Sequence, residues 1–166
     1  MGQFLSIFYS GTKYATDMAQ SKKIVLCNQI IVLMASLTFV ESIIYVCLGL
    51  YEGAFFTCWL CFLYGFCFYF NRRGYIKFTR VLLLVLLNGA IFIISSSLGY
   101  QFGMQYVYFL AMVIPLIIFD NRQYISKVIF VGSSFVCFLV LDFVGYGLFY
   151  PLSIPVEFEK AFYLLI

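Results

Sequence analysis

The sequence contains no histidine, and this absence excludes several kinds of active site. Bis-histidine haem, histidine-ligated zinc or copper, and any triad with a histidine base are impossible in this chain. Charge is also scarce, since Asp, Glu, Lys and Arg make up 10% of the 166 residues, against about 25% in soluble domains. A soluble enzyme and a nucleic-acid-binding domain are therefore excluded, although the net charge is +3.

Hydrophobic residues take the place of the missing charges. They make up 64% of the chain, and the mean hydropathy is +1.04. A globule of this size cannot bury so many, because a small domain has a large surface to cover with polar groups. Aromatic residues reach 22%, which suits lipid-facing surfaces and interfacial belts. The same numbers exclude disorder and indicate an integral membrane protein.

Long apolar runs predict an all-α integral membrane protein, a bundle of six transmembrane helices. A crossing helix needs about 20 mostly apolar residues, and its backbone hydrogen bonds must close within the segment. The alternation typical of an outer-membrane barrel is missing. The helices are predicted at about 24–50, 54–70, 78–98, 102–119, 128–148 and 156–166, after a cytoplasmic interfacial segment at 1–20. The sixth run is incomplete at Ile166, which predicts either a half-span or re-entrant helix or, as the favoured interpretation, a natural chain that continues beyond this residue.

The few charged residues predict the orientation of these helices. Of the ten Lys and Arg residues, all except Lys160 fall on one side of the predicted topology. Three acidic residues, Glu52, Glu157 and Glu159, fall on the other side. Since basic residues favour the cytoplasmic side of a membrane, the N-terminus is predicted to lie in the cytoplasm.

Two carboxylates lie within predicted spans, where an ionised group is costly. Glu41 in the first helix and Asp142 in the fifth lie roughly 6 Å to the outer side of the midplane, from the rise per residue. One interpretation is a polar pocket, open to the outside, for a cationic or hydrogen-bonding ligand. The other is that each carboxyl group is protonated, or paired with a Tyr or Ser, and tethers neighbouring helices.

Two amide side chains complete the predicted ligand-binding set of Glu41, Asn88, Gln105 and Asp142. Asn88 is near the centre of the third predicted helix, where an amide usually bonds a neighbouring helix for about 0.6 kcal/mol. Gln105 flanks an outer turn and could close a pocket from above, or be a solvated turn residue. The ligand would be a small molecule or a lipid.

The pair Cys58 and Cys61 forms a C-x-x-C motif near the outer end of the second predicted helix. It resembles the pair of membrane disulfide-forming oxidoreductases that reduce quinones, which makes a thiol/quinone oxidoreductase an alternative function. Two departures argue against it, since no predicted outer loop contains a cysteine and no basic residue follows Cys61. Buried thiols in apolar surroundings are usually inert.

A wider pattern between Ser21 and Asp120 resembles a known class of membrane modules. Its segments are SKKIVLCN (21–28), NGAIF (88–92), SSSLG (95–99), QYVYF (105–109) and PLIIFD (115–120). The pattern resembles the six-helix sensor and anchor modules of bacterial histidine kinases, nucleotide cyclases and similar signalling proteins. The resemblance implies a multi-pass module of the bacterial cytoplasmic membrane, acting as a homodimer, that transmits a cue to a cytoplasmic output domain or partner. No output domain is present in this sequence.

A small transporter or channel is the second alternative. It would require an internal repeat or paired broken helices, and Pro115 is the only proline within a predicted span. No metal-ligand set, cofactor motif or nucleic-acid-binding motif is visible in the sequence. We therefore expect this segment to be a non-enzymatic sensor or anchor whose partners are the bilayer, a ligand, a second copy and a cytoplasmic protein.

Overall fold

The computed structural model describes residues 7–99 and 103–144, whose secondary structure is entirely helical. Three 3-10 turns, at Thr12–Tyr14, Met104–Tyr106 and Asn121–Gln123, accompany the longer helices. The α-helices are α1 (Met18–Cys47), α2 (Tyr51–Arg72), α3 (Ile76–Leu98), α4 (Val107–Ile118) and α5 (Tyr124–Val144). The predicted helix at 156–166 lies outside the described residues.

Four of these helices, α1, α2, α3 and α5, are long and apolar enough to cross a membrane. Their outer surfaces carry large apolar side chains, with Phe143 84%, Phe55 76% and Ile125 74% exposed. Such surfaces suit a hydrocarbon solvent, whereas water would disfavour them. The described residues therefore support an all-helical protein with several helices suited to crossing a membrane, whereas the count of six crossings and the cytoplasmic N-terminus stay predictions.

The helix boundaries follow local capping signals. Helix α1 begins at Met18, earlier than the predicted 24, because the Asp17 side chain caps it by accepting a hydrogen bond of 2.6 Å from the Gln20 N–H. The basic residues Lys22 and Lys23 are therefore helical. Helix α4 is shorter than the predicted segment 102–119, because Met104–Tyr106 forms a 3-10 turn before it.

The turn between α1 and α2 depends on two glycines with different roles. Gly49 has a φ of +74°, a left-handed conformation that only glycine adopts at no steric cost. Gly53 lies against the Tyr45 ring, where a Cβ would come within 3.3 Å of a ring carbon. The first glycine reverses the chain and the second permits close packing of α1 and α2.

The described residues form two compact units, with a boundary inside α3. The first contains residues 7–86 and 117–124, and its buried core includes Ile24, Leu60 and Tyr64. The second contains residues 87–99, 103–116 and 125–144, and its buried residues include Tyr108 and Leu141.

Candidate functional site

The most deeply buried charge in the first unit is Arg80, near the start of α3. The residue is 1% exposed. Its Nη1 donates to the Asp120 Oδ2 at 3.0 Å and to the Gln123 Oε1 at 3.3 Å. Its Nε and Nη2 have no partner among the residues that the structure describes. Since an arginine has five N–H donors, this guanidinium is only partly satisfied, which is costly at such burial.

The carboxylate of Asp120 connects three segments of the first unit. One oxygen accepts the bond from Arg80 on α3, and the other accepts from the Lys23 Nζ on α1 at 2.8 Å. The same ammonium group donates to the Phe119 carbonyl at 2.9 Å. The start of α1, the start of α3 and the α4–α5 connection therefore meet at one end of this unit. We refer to Lys23, Arg80, Asp120 and Gln123 as the Asp120 cluster.

The cluster contains two cations and one carboxylate, and this imbalance determines the protonation state of Asp120. Partial burial raises the pKa of this carboxyl group, but the hydrogen bonds and positive charges of Lys23 and Arg80 lower it by more. The resulting pKa lies below the ordinary range, so the carboxylate is ionised at neutral pH. Asp120 is 34% exposed, so water reaches the acidic side of the cluster.

A pair of buried amides at the same end of the first unit holds the segment before α1. Asn28 and Asn71 are both fully buried. The Asn28 Nδ2 donates to the carbonyls of Phe8 and Ser10 at 2.9 and 2.8 Å, and the Asn71 Nδ2 donates to the Asn28 Oδ1 at 2.6 Å. The pair thus joins the N-terminal segment to α1 and α2.

The residues predicted to bind a ligand are divided between the two units. Glu41 lies on α1 in the first unit, and its Oε2 is buried with no partner in the described part of the chain. In the second unit, Gln105 is buried in the 3-10 turn before α4, and Asp142 is exposed near the end of α5. The pocket that sequence reasoning assigned to these residues and Asn88 stays a prediction.

Asn88 makes the contact that was expected of an amide in the middle of a span. Its Oδ1 accepts a hydrogen bond of 2.7 Å from the Ser134 hydroxyl on α5. Its backbone carbonyl accepts another, of 3.1 Å, from the Tyr108 hydroxyl on α4. These bonds join α3, α4 and α5 within the second unit.

Cys58 and Cys61 lie one helical turn apart on α2. Both are free thiols, Cys58 being exposed and Cys61 half-buried. The Cys61 thiol lies 3.5 Å from the Ala35 carbonyl on α1, to which it donates. Redox chemistry at this pair stays a prediction.

Sequence reasoning missed the Asp120 cluster and the amide pair. One signal was available, since Asp17 and Asp120 are the acidic residues on the predicted basic side of the chain. The partners of Asp120 lie 40 and 97 residues away, and no local pattern identifies them. Within the described ranges, no group of three or more Cys, Asp or Glu side chains is arranged to hold a metal ion.

Comparison with known proteins found no family model, curated protein or solved structure that matches this chain.

Proposed function

We propose that this protein is a six-helix membrane module, with its N-terminus in the cytoplasm, that transmits an outer or intramembrane cue to a cytoplasmic partner. Four described helices have the length and hydropathy for crossing, and the basic residues cluster in the helix ends and connections assigned to the cytoplasm. The short helix α4 and the run at 156–166 would complete the six crossings. The bacterial cytoplasmic membrane is the proposed location.

The Asp120 cluster is the observation that carries this proposal. It joins α1, α3 and the α4–α5 connection at the end that would face the cytoplasmic partner. The two unpartnered nitrogens of Arg80 keep this packing from being strongly favoured, because another arrangement could provide partners for them. Because the buried charge is only partly compensated, we expect the helices that meet at this cluster to have two packing arrangements of similar free energy.

Helix α1 supplies a direct route from the opposite end of the unit to this cluster. Its 30 residues extend about 45 Å at 1.5 Å per residue. A ligand that prefers one packing of the outer ends would shift the population of that packing. Because α1 is a continuous helix, the shift would move Lys23 relative to Asp120. The surface that the cluster presents to a cytoplasmic partner would then change.

The transmission step is tested by measuring one distance within the first unit. Spin labels on genetically encoded amino acids at the exposed positions Lys22 and Lys77 leave the native cysteines in place. The full chain is studied in lipid nanodiscs by electron–electron double resonance. We expect two distance populations, whose ratio shifts when Asp120→Asn removes the carboxylate that joins α1 to α3.

Glu52→Gln is the matched control, because this carboxylate is exposed in the first turn of α2, away from the cluster. It should leave the ratio unchanged. A single distance that neither variant alters would show that the cluster does not switch, and the transmission proposal would then be wrong.

The orientation is tested without any substitution, by labelling lysines with a membrane-impermeant amine reagent. The exposed side chains of Lys13, Lys22 and Lys77 should react in inside-out vesicles and be protected in right-side-out cells. Peptide mass spectrometry locates the labels. Reaction of these three lysines in intact cells would reverse the proposed orientation.

A further inference from the structure

A groove opens between the N-terminal segment and the C-terminal end of α2, outside the Asp120 cluster. Residues 9–14 form one wall, and Tyr69, Arg72 and Arg73 form the other. Its volume is about 630 Å³, within the range of about 300–1,000 Å³ for small-molecule sites. We refer to it as the Arg72 groove.

Two glycines allow the walls of this groove to approach closely, and the amide pair joins them by hydrogen bonds. A Cβ on Gly11 would come within 2.5 Å of the Asn71 carbonyl oxygen, and one on Gly74 within 2.9 Å of the Tyr14 ring. Both glycines have positive φ angles, of 86° and 89°. Since Asn28 also binds the carbonyl groups of the N-terminal segment, the groove is formed before any ligand binds.

The charge of the Arg72 groove is entirely positive. Lys13, Arg72 and Arg73 line it, and no acidic residue does so among those described. The ion pairs found in the described ranges both use Asp120, so these three cations have no carboxylate partner there. The Arg73 guanidinium lies over the Tyr69 ring, 5.3 Å from its centroid, which orients its planar donors.

The position of the groove indicates the source of its ligand. Helix α2 ends at Arg72, where its apolar run meets the basic connection to α3. The exposed rings of Tyr9, Tyr14 and Tyr69, at 59%, 44% and 49%, are typical of a membrane–water interface. Lipid phosphates lie at this depth, and basic pockets at the ends of membrane helices can bind them.

We propose that the Arg72 groove binds a phosphate anion, supplied by the headgroup of an anionic phospholipid in the adjacent leaflet. Arg72 and Arg73 donate to the phosphate oxygens, Lys13 approaches from the opposite wall, and the tyrosines flank the headgroup. This site is separate from the proposed transmission step, since none of its lining residues belongs to the Asp120 cluster.

Lipid binding to the full chain in neutral detergent tests the proposal, because detergent removes the field of a charged membrane. Native mass spectrometry gives affinities for phosphatidylglycerol and phosphatidylcholine, with inorganic phosphate and glycerol phosphate as soluble competitors. We expect phosphatidylglycerol to bind at least about tenfold more tightly than phosphatidylcholine. Because each exposed cation that pairs with the phosphate strengthens binding by up to about fivefold, Arg72→Gln/Arg73→Gln should weaken the binding of phosphatidylglycerol by about tenfold to thirtyfold.

The control is Lys22→Gln/Lys77→Gln, which removes two exposed cations from the same end of the chain but outside the groove. It should weaken binding by less than about threefold. Lys13→Gln is a second groove variant, used if the double arginine variant does not fold, and it should weaken binding by about fivefold. The thermal unfolding midpoint without lipid shows whether each variant is folded.

The outcomes separate the possible sources of phosphate. Competition only at millimolar glycerol phosphate or inorganic phosphate supports the lipid headgroup as the source, and competition at the affinity of the lipid supports a free phosphate at the same site. Equal binding of the two lipids would overturn the proposal. So would equal losses in the groove and control variants, since the attraction would then belong to the whole basic end. These results leave the spin-label distances unaffected, so either proposal can fail without the other.

Discussion

The substitution Asp120→Asn tests whether the buried charge of Arg80 depends on a single carboxylate. Asparagine keeps the shape of the side chain and can still accept one hydrogen bond, but it removes the negative charge. Arg80, at 1% exposure, then keeps its charge with no acidic partner among the described residues. The folded state should therefore lose stability, whereas the unfolded chain, in which water hydrates the guanidinium, should be little affected.

The magnitude follows from the burial of the two partners. Removing one partner of a fully buried ion pair costs about 3–5 kcal/mol. Because Asp120 is 34% exposed, water screens part of this interaction, and we expect about 2–4 kcal/mol. Lys23 is 24% exposed and pairs with the more accessible side of the cluster. We therefore expect Lys23→Gln to cost about 1 kcal/mol or less, near the value for surface pairs.

Reversible unfolding of the full chain in mixed micelles of a neutral detergent and dodecyl sulfate would measure these differences. The double variant Arg80→Met/Asp120→Asn removes both charges and should be more stable than Asp120→Asn alone, by at least about 1.5 kcal/mol. The single variant Arg80→Met completes a double-mutant cycle with these two. A cost below about 1 kcal/mol for Asp120→Asn, or a coupling energy near zero in this cycle, would refute this account of the buried arginine.

Three further predictions concern the titration of Asp120, the bond between Ser134 and Asn88, and the amide pair. The pKa of Asp120 in the folded protein lies below its ordinary value of 3.8, so the ionised carboxylate should stabilise the fold fully above pH 3.8 and lose this effect as the pH falls further. The acid unfolding curves of wild type and Asp120→Asn should therefore converge at low pH. Parallel curves would contradict the ion pairing. Ser134→Ala removes the bond to Asn88 and should lower the free energy of unfolding by about 0.6–1.7 kcal/mol in the same assay. The control Ser133→Ala removes a hydroxyl that bonds its own helix and should lower it by less than about 0.5 kcal/mol. Equal losses would contradict the interhelical bond. Asn28→Ala should release residues 7–14 and increase tryptic cleavage there at least about fivefold, because two carbonyls lose their donor; unchanged cleavage would show that the amide pair does not hold the segment.

The membrane-spanning helices could be predicted because their signal is local. A segment in hydrocarbon must close its own hydrogen bonds and expose apolar side chains, so a run such as 78–98 specifies a helix without reference to the rest of the chain. The start of α1 at Met18 is equally local, since Asp17 caps it from within one turn. The 3-10 turn that shortens α4 has no comparable signal in hydropathy.

The polar clusters depended on the tertiary structure. The sequence alone placed Lys23, Arg80 and Asp120 in three basic-side segments, but any carboxylate on that side could have paired with any cation there. Helix packing selected Asp120 for Arg80 and Asn71 for Asn28, because only the folded chain brings groups 40 and 43 residues apart within hydrogen-bond distance. Desolvation explains these pairings, because a buried polar group that finds no hydrogen-bond partner destabilises the folded state. Composition thus determined the solvent in which this chain folds, and packing determined which of its few charges meet.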